Sequence, residues 1–186
     1  MKQIPVKECI WHTQLQDHSY IKNRILGEIE ITPDPRFEEF GKSISKLDWS
    51  RSQSANRPWV NIFKEKFLIS IEEIYKSMCY EAIKIEDIWY QQYTKGDQHH
   101  WHIHGQHFTG VYYIEFPEGS PKTKVVPPLT KDIIEVDAVE GDLIIFPAHW
   151  IHSSGIPMGE GRKTIISFNF DMDEPTRDSI YATLPN

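Results

Sequence analysis

The segment GDQHHWHIHGQHFTG, residues 96–110, holds five of the chain's nine histidines: His99, His100, His102, His104 and His107. Two more, His149 and His152, follow in FPAHWIH. Neutral imidazole is the commonest side-chain ligand for first-row metals, and a three-ligand face with open positions is the arrangement that catalytic iron sites use. On a strand, residues two apart point to the same side, so His102 and His104 can aim at one point. A metal held by sequence neighbours alone would be exposed and weakly oriented, which makes His152 the natural third ligand. Gly96-Asp97 precedes the first group and Gly141-Asp142 the second, and such turns fix where a strand begins. For the H-x-H pair alone, the competing reading is a solvated strand face without metal.

Arg162 lies ten residues beyond His152, at the head of the strand-like run RKTIISFNF. A guanidinium cannot lose its proton, so entry into a half-buried strand calls for an anion, and a bidentate carboxylate is the fitting partner. Thr164, two positions on, faces the same way and can add its hydroxyl. The alternative is a surface ion pair at a strand end.

These residues need a scaffold, and the sequence predicts one that is helical first and β-rich afterwards. From Pro58, the positions Val60, Phe63, Phe67, Ile71, Ile74, Met78 and Ala82 recur at steps of three and four, which predicts a helix of about seven turns with Pro in its first turn. Leu15, Ile21, Ile25 and Leu26 predict a shorter, earlier helix. Residues 32–57 read as a long polar connection of the kind used for lids and substrate loops. Strands are expected at about 86–94, 98–104, 107–116, 132–138, 142–147, 149–156 and 162–171, a spacing that fits a sandwich or jelly roll. The expected organisation is a single domain, 1–186: a helical part over 1–85, a jelly-roll core over 86–171 and a tail over 172–186.

A chain of 186 residues with 39% hydrophobic and 25% charged residues belongs with ordinary globular proteins. The formal charge of −7 argues against general affinity for nucleic acid. No apolar run approaches the length of a membrane helix and the start lacks the pattern of a signal peptide, so a soluble, cytoplasmic protein with no membrane partner is expected. Cys9 and Cys79 are too far apart for a cysteine metal motif and are expected as reduced, packed thiols.

The order Gly-x5-His-x-His, a distant His, then Arg ten residues on resembles the double-stranded β-helix of the Fe(II)/2-oxoglutarate oxygenases, particularly their prolyl-hydroxylase-like members. HIHGQHFTGVYY followed by GDLIIFPAHWIH is also similar to a run found in phage and bacterial oxygenases of that superfamily. The likeness covers about residues 86–171. It implies a mainly β jelly roll with flanking helices, Fe(II) held by His102 and His152, and 2-oxoglutarate gripped at its far carboxylate by Arg162 and Thr164. Tyr113, the second tyrosine of the Tyr-Tyr pair, and Tyr93 are implied as further contacts to the cosubstrate, with core packing as the alternative for both. The implied reaction uses O2 to hydroxylate an unactivated C–H of a small-molecule or peptide substrate, with 2-oxoglutarate decarboxylated to succinate.

The chain departs from the resemblance at one position. Most of the superfamily carries Asp or Glu two residues after the first histidine, and here that residue is His104. Three neutral imidazoles leave the full charge of the metal in place. The favoured reading has His104 as the third ligand, with a vacancy or a different mode of metal binding as alternatives and His107 in reserve. A cupin-type three-histidine enzyme without 2-oxoglutarate is the main rival, although the glutamate expected four or five positions after H-x-H is absent. A non-catalytic metal-binding module is the other.

Overall fold

The computed structural model describes residues 9–54 and 56–176. The strands, in chain order, are β1 (Trp11–Gln14), β2 (Phe37–Glu39), β3 (Lys42–Ile44), β4 (Lys46–Leu47), β5 (Tyr80–Tyr93) and β6 (Gln98–His99). They continue with β7 (Phe108–Glu115), β8 (Lys124–Val126), β9 (Ile134–Glu135), β10 (Asp142–Pro147), β11 (Ile151–Ser153) and β12 (Lys163–Pro175). Helices α1 (His18–Glu30) and α2 (Pro58–Ser77) lie among the early elements. The expected mainly β jelly roll with flanking helices is what forms. Residues 177–186, most of the expected tail, lie outside the described residues.

A six-stranded antiparallel sheet, in the order β1-β10-β7-β12-β5-β4, is the backbone of the molecule. Its sequence runs are nearly continuous apolar stretches because both faces are covered. Alternation then sends neighbours to different cores. Leu143 and Ile145 of β10, Tyr112 and Ile114 of β7, and Ile166 and Phe168 of β12 join the helices; Ile144 and Phe146, Val111 and Tyr113, and Ile165 face the other way. The helix side is closed by Ile21, Ile25 and Ile29 of α1 and by Phe63, Phe67 and Ile71 of α2, all fully buried. Gly110 is needed where β7 passes under this core, because a Cβ there would lie 2.1 Å from the Phe168 ring.

Two three-stranded sheets, β11-β8-β9 and β2-β3-β6, belong to the opposite side, where Ile44 and Val125 join the second core. The β2–β3 hairpin and β4 fall inside the stretch expected as a polar connection.

Several expected boundaries move. Helix α2 stops at Ser77, short of the expected seven turns, because Cys79 takes a left-handed conformation (φ 66°) and β5 begins at Tyr80. Ala82 therefore lies in a strand, and the helical part ends well before residue 85. At the other end, β12 runs on to Pro175. The expected strand 98–104 shrinks to Gln98–His99, since the backbone beyond it bonds outside any ladder: His102 pairs with His152, and His104 donates to the Ala148 carbonyl. Cys9 and Cys79 are exposed rather than packed. Among the described residues no helix is long and apolar enough to cross a membrane.

Candidate metal centre

The histidines meet through backbone pairing. His102 and His152 exchange both N–H···O bonds at 3.0 Å, an isolated antiparallel pair that holds their rings 4.2 Å apart, centroid to centroid. His104, anchored at 3.0 Å to the Ala148 carbonyl, brings its ring to 5.1 Å from each of the others. One ligand atom from each of His102, His104 and His152 lies within 4.8 Å of the other two.

The tautomers are prepared for coordination. Nδ1 of His102 is 2.7 Å from the His100 carbonyl, and Nδ1 of His152 is 2.8 Å from the Trp150 carbonyl. A carbonyl only accepts, so Nδ1 carries the proton and Nε2 keeps its lone pair, the usual way a protein orients a ligand histidine. Burial also disfavours the imidazolium: it lowers the pKa of His102, brings His104 to about 4 and brings His152 to about 3. Three neutral imidazoles with converging donors fit a divalent transition ion.

Two cavities meet at this cluster. The outer one, about 330 Å³, is lined by Phe37, Lys42, Trp49, Trp89, Ile103, His102 and His104, among others. The inner one, about 30 Å³, has Tyr93, Thr123, Ser154, Ile165 and Ser167 in its wall. Gln91 and His99 line both. In the wall of the inner cavity the Tyr93 hydroxyl donates a hydrogen bond to Gln91 Oε1.

The residues expected to grip a carboxylate separate into two groups. Tyr93 lines the inner cavity, and Tyr113, fully buried, donates a 2.6 Å hydrogen bond to Thr123 in its wall. Arg162 and Thr164 do not face it. They project to the helix side, where Arg162 donates to Glu115 and to Glu30 at the end of α1, and Thr164 donates to Glu115 at 2.6 Å. The reason is strand parity: Arg162 and Thr164 share the side of Ile166 and Phe168, while the intervening Lys163 shares the side of Ile165 and Ser167. The alternative read from the sequence, an ion pair at a strand end, describes Arg162 correctly.

Strand parity turns Lys163 to the side of the sheet that holds the inner cavity, behind the residues that line it. Lys163 is 1% exposed, and its Nζ donates to the Pro121 and Ser154 carbonyls at 2.8 and 2.9 Å, leaving one of three N–H groups without an acceptor among the described residues. No carboxylate bonds it, and burial alone lowers its pKa to about 7. Nothing in the sequence favours Lys163 over the neighbouring arginine, because which face each one takes depends on the register of the strand.

His99, expected beside the ligands or at the surface, lies beside them. Its ring stacks on His102 at 3.8 Å, and its buried Nε2 has no hydrogen-bond partner among the described residues. His100, His107 and His149 are exposed, as expected of residues outside the ligand set.

Neither a protein-family model nor a curated protein sequence matches the chain. Solved structures do. A viral collagen prolyl hydroxylase from Paramecium bursaria Chlorella virus-1, in complex with 2-oxoglutarate, aligns with TM-score 0.56 at 16% identity, over 87% of this chain and 94% of the viral one. The non-haem α-ketoglutarate-dependent epimerase SnoN of nogalamycin biosynthesis aligns with TM-score 0.66 at 12% identity, over 96% and 86% of the two chains. HygX from Streptomyces hygroscopicus, with nickel and 2-oxoglutarate bound, aligns with TM-score 0.64 at 8% identity, over 89% and 83%. The chain therefore has the jelly-roll fold of the 2-oxoglutarate/Fe(II) oxygenases, and a triad of histidines lies at its centre.

Proposed function

We propose that the protein is a non-haem Fe(II)- and 2-oxoglutarate-dependent dioxygenase that hydroxylates an unactivated C–H. The observation that carries the reading is the convergence of three neutral imidazoles, with Nε2 free on His102 and His152, where two cavities meet. His102, His104 and His152 would hold the iron. When bound, the metal and cosubstrate supply the oxidising chemistry: O2, 2-oxoglutarate and a substrate C–H become succinate, CO2 and the alcohol.

The chain's own work is positioning. Lys163 and Thr123, supported by Tyr113, are the groups suited to the far carboxylate of 2-oxoglutarate, the role first expected of Arg162 and Thr164. A dicarboxylate needs more room than about 30 Å³, so its entry would break the Tyr93–Gln91 hydrogen bond and let both side chains turn. Trp89 and Phe146 stand against His104 and His152 and keep the ligand face dry on that side. The outer cavity is left for the substrate. No separate general base is needed.

The test is anaerobic addition of Fe(II) and 2-oxoglutarate. A weak visible charge-transfer band, followed by succinate release on admitting O2, is the expected result. Metal binding with neither band nor succinate would favour a cupin-type three-histidine enzyme, the second reading that His104 in place of a carboxylate supports.

A further inference from the structure

Within the outer cavity one charged group is conspicuously without a partner. Lys42, half-buried on β3, lines the cavity yet forms no ion pair or side-chain hydrogen bond among the described residues. Its place is fixed on both sides, because the β3 backbone pairs Lys42 with His99 on β6 and with Glu39 on β2. Its charge reaches the histidine cluster and is one of the influences that disfavour protonation of His99, His102 and His104. The other charged residue of the lining, Glu39, is exposed and lies beyond 4.0 Å of the ammonium. A half-buried cation left unpaired in a cavity wall favours an incoming anion.

Away from Gln91 and the histidines, the rest of the wall is apolar. Trp49 and Trp89 meet edge to face at 4.5 Å, and Phe37, Ile44, Leu47 and Ile103 add to it. A cavity of about 330 Å³ is at the small end of those that take metabolite-sized ligands.

We propose that this cavity binds a small organic anion, with its carboxylate or phosphate on Lys42 and an aromatic or otherwise flat apolar body against Trp49, Trp89 and Phe37. That this anion is the molecule oxidised rests on the oxygenase reading; its binding does not. Glu39 acts from the rim as an opposing charge that disfavours anions without neutralising Lys42.

Binding is measured on the full chain without added metal, by tryptophan fluorescence and calorimetry, with phenylacetate, phenyl phosphate, neutral phenylacetamide and cationic phenethylamine as probes. At least one anion is expected to bind about ten-fold more tightly than the amide, the size of one modest charge contact. Lys42→Met, which keeps the aliphatic stem, removes that preference, and Glu39→Gln increases it. Equal binding of anions and amide, preference for the amine, or a preference that survives in Lys42→Met overturns the proposal.

The 2-oxoglutarate affinity of the Fe(II) protein, measured anaerobically, is expected to be the same in Lys42→Met and the parent. A parallel loss would assign Lys42 to the cosubstrate and overturn the proposal. Succinate release without anion preference would refute this inference alone, and anion preference without succinate release would refute the oxygenase reading alone.

Discussion

On the helix-covered face of the six-stranded sheet, charge is matched. Arg162 lies between Glu115 and Glu30, and Lys22 and His18 converge on Glu140. On the cavity face, Lys163 is buried against two carbonyls and the rings of Tyr93 and Phe116, and among the described residues Lys42 has no anion and the buried Nε2 of His99 has no partner. Paired ions such as Arg36–Asp97 occur on this side too, but a cavity neighbourhood that leaves cations without a carboxylate among the described residues is prepared for ligands. Unpaired buried charge destabilises the empty fold, and a bound anion or metal offsets that cost.

The comparison is broken most severely on the structural face. Phe168→Ala removes a ring packed among Phe63, Phe67 and Phe170, and is expected to cost about 3–5 kcal/mol of stability in a denaturant melt. Replacing Ser167, its neighbour on the cavity face, by Ala should cost far less.

Lys163→Met should weaken 2-oxoglutarate binding by about ten- to a hundred-fold, the range for losing one charged hydrogen bond. The expected change in stability is small, since relief of the buried ammonium offsets the loss of its two hydrogen bonds to carbonyls. Equal 2-oxoglutarate affinity in mutant and parent would remove Lys163 from the cosubstrate site.

The pH dependence sharpens the same point. Burial holds the Lys163 amine at about 7 in the unliganded protein, so it is mostly charged below pH 7 and mostly neutral above. A carboxylate raises that pKa, so binding above pH 7 takes up a proton. Affinity for 2-oxoglutarate is then constant on the acid side and falls by at most about ten-fold per unit as pH rises past 7. Calorimetry in buffers of different ionisation enthalpy should show the proton uptake, and Lys163→Met should abolish it.

Arg162→Ala is the smallest expected effect. Its ion pairs are partly exposed and contribute about 0–1 kcal/mol, and 2-oxoglutarate affinity should not change. A large loss of that affinity would restore Arg162 to the cosubstrate site.

The histidine centre was legible because residue type and order carry it: H-x-H after one Gly-Asp turn and His152 after another. Both turns form, with Gly96 and Gly141 at φ 83° and 94°. The run LIIF reads as a strand, and its two-sided burial emerges only in the structure, where Leu143 and Ile145 join one core and Ile144 and Phe146 the other. The placement of Arg162 was not, because a strand's parity is invisible until its register is known, and one residue reverses every side chain. The β2–β3 hairpin that carries Lys42 was hidden for another reason: its strands are three residues long and mostly half-exposed, too short for alternation to stand out. The end of α2 was masked by apolar spacing that runs on through Met78 and Ala82, across the left-handed residue that stops the helix.

The central claim is that His102, His104 and His152 converge on one divalent ion. Anaerobic titration of Fe(II), or of Co(II) as a visible reporter, against the parent and the three single His→Ala variants tests it most directly. The account predicts one ion per chain in the parent and a loss of affinity of at least about a hundred-fold in each variant. Parent-like affinity in any one of the three would contradict it.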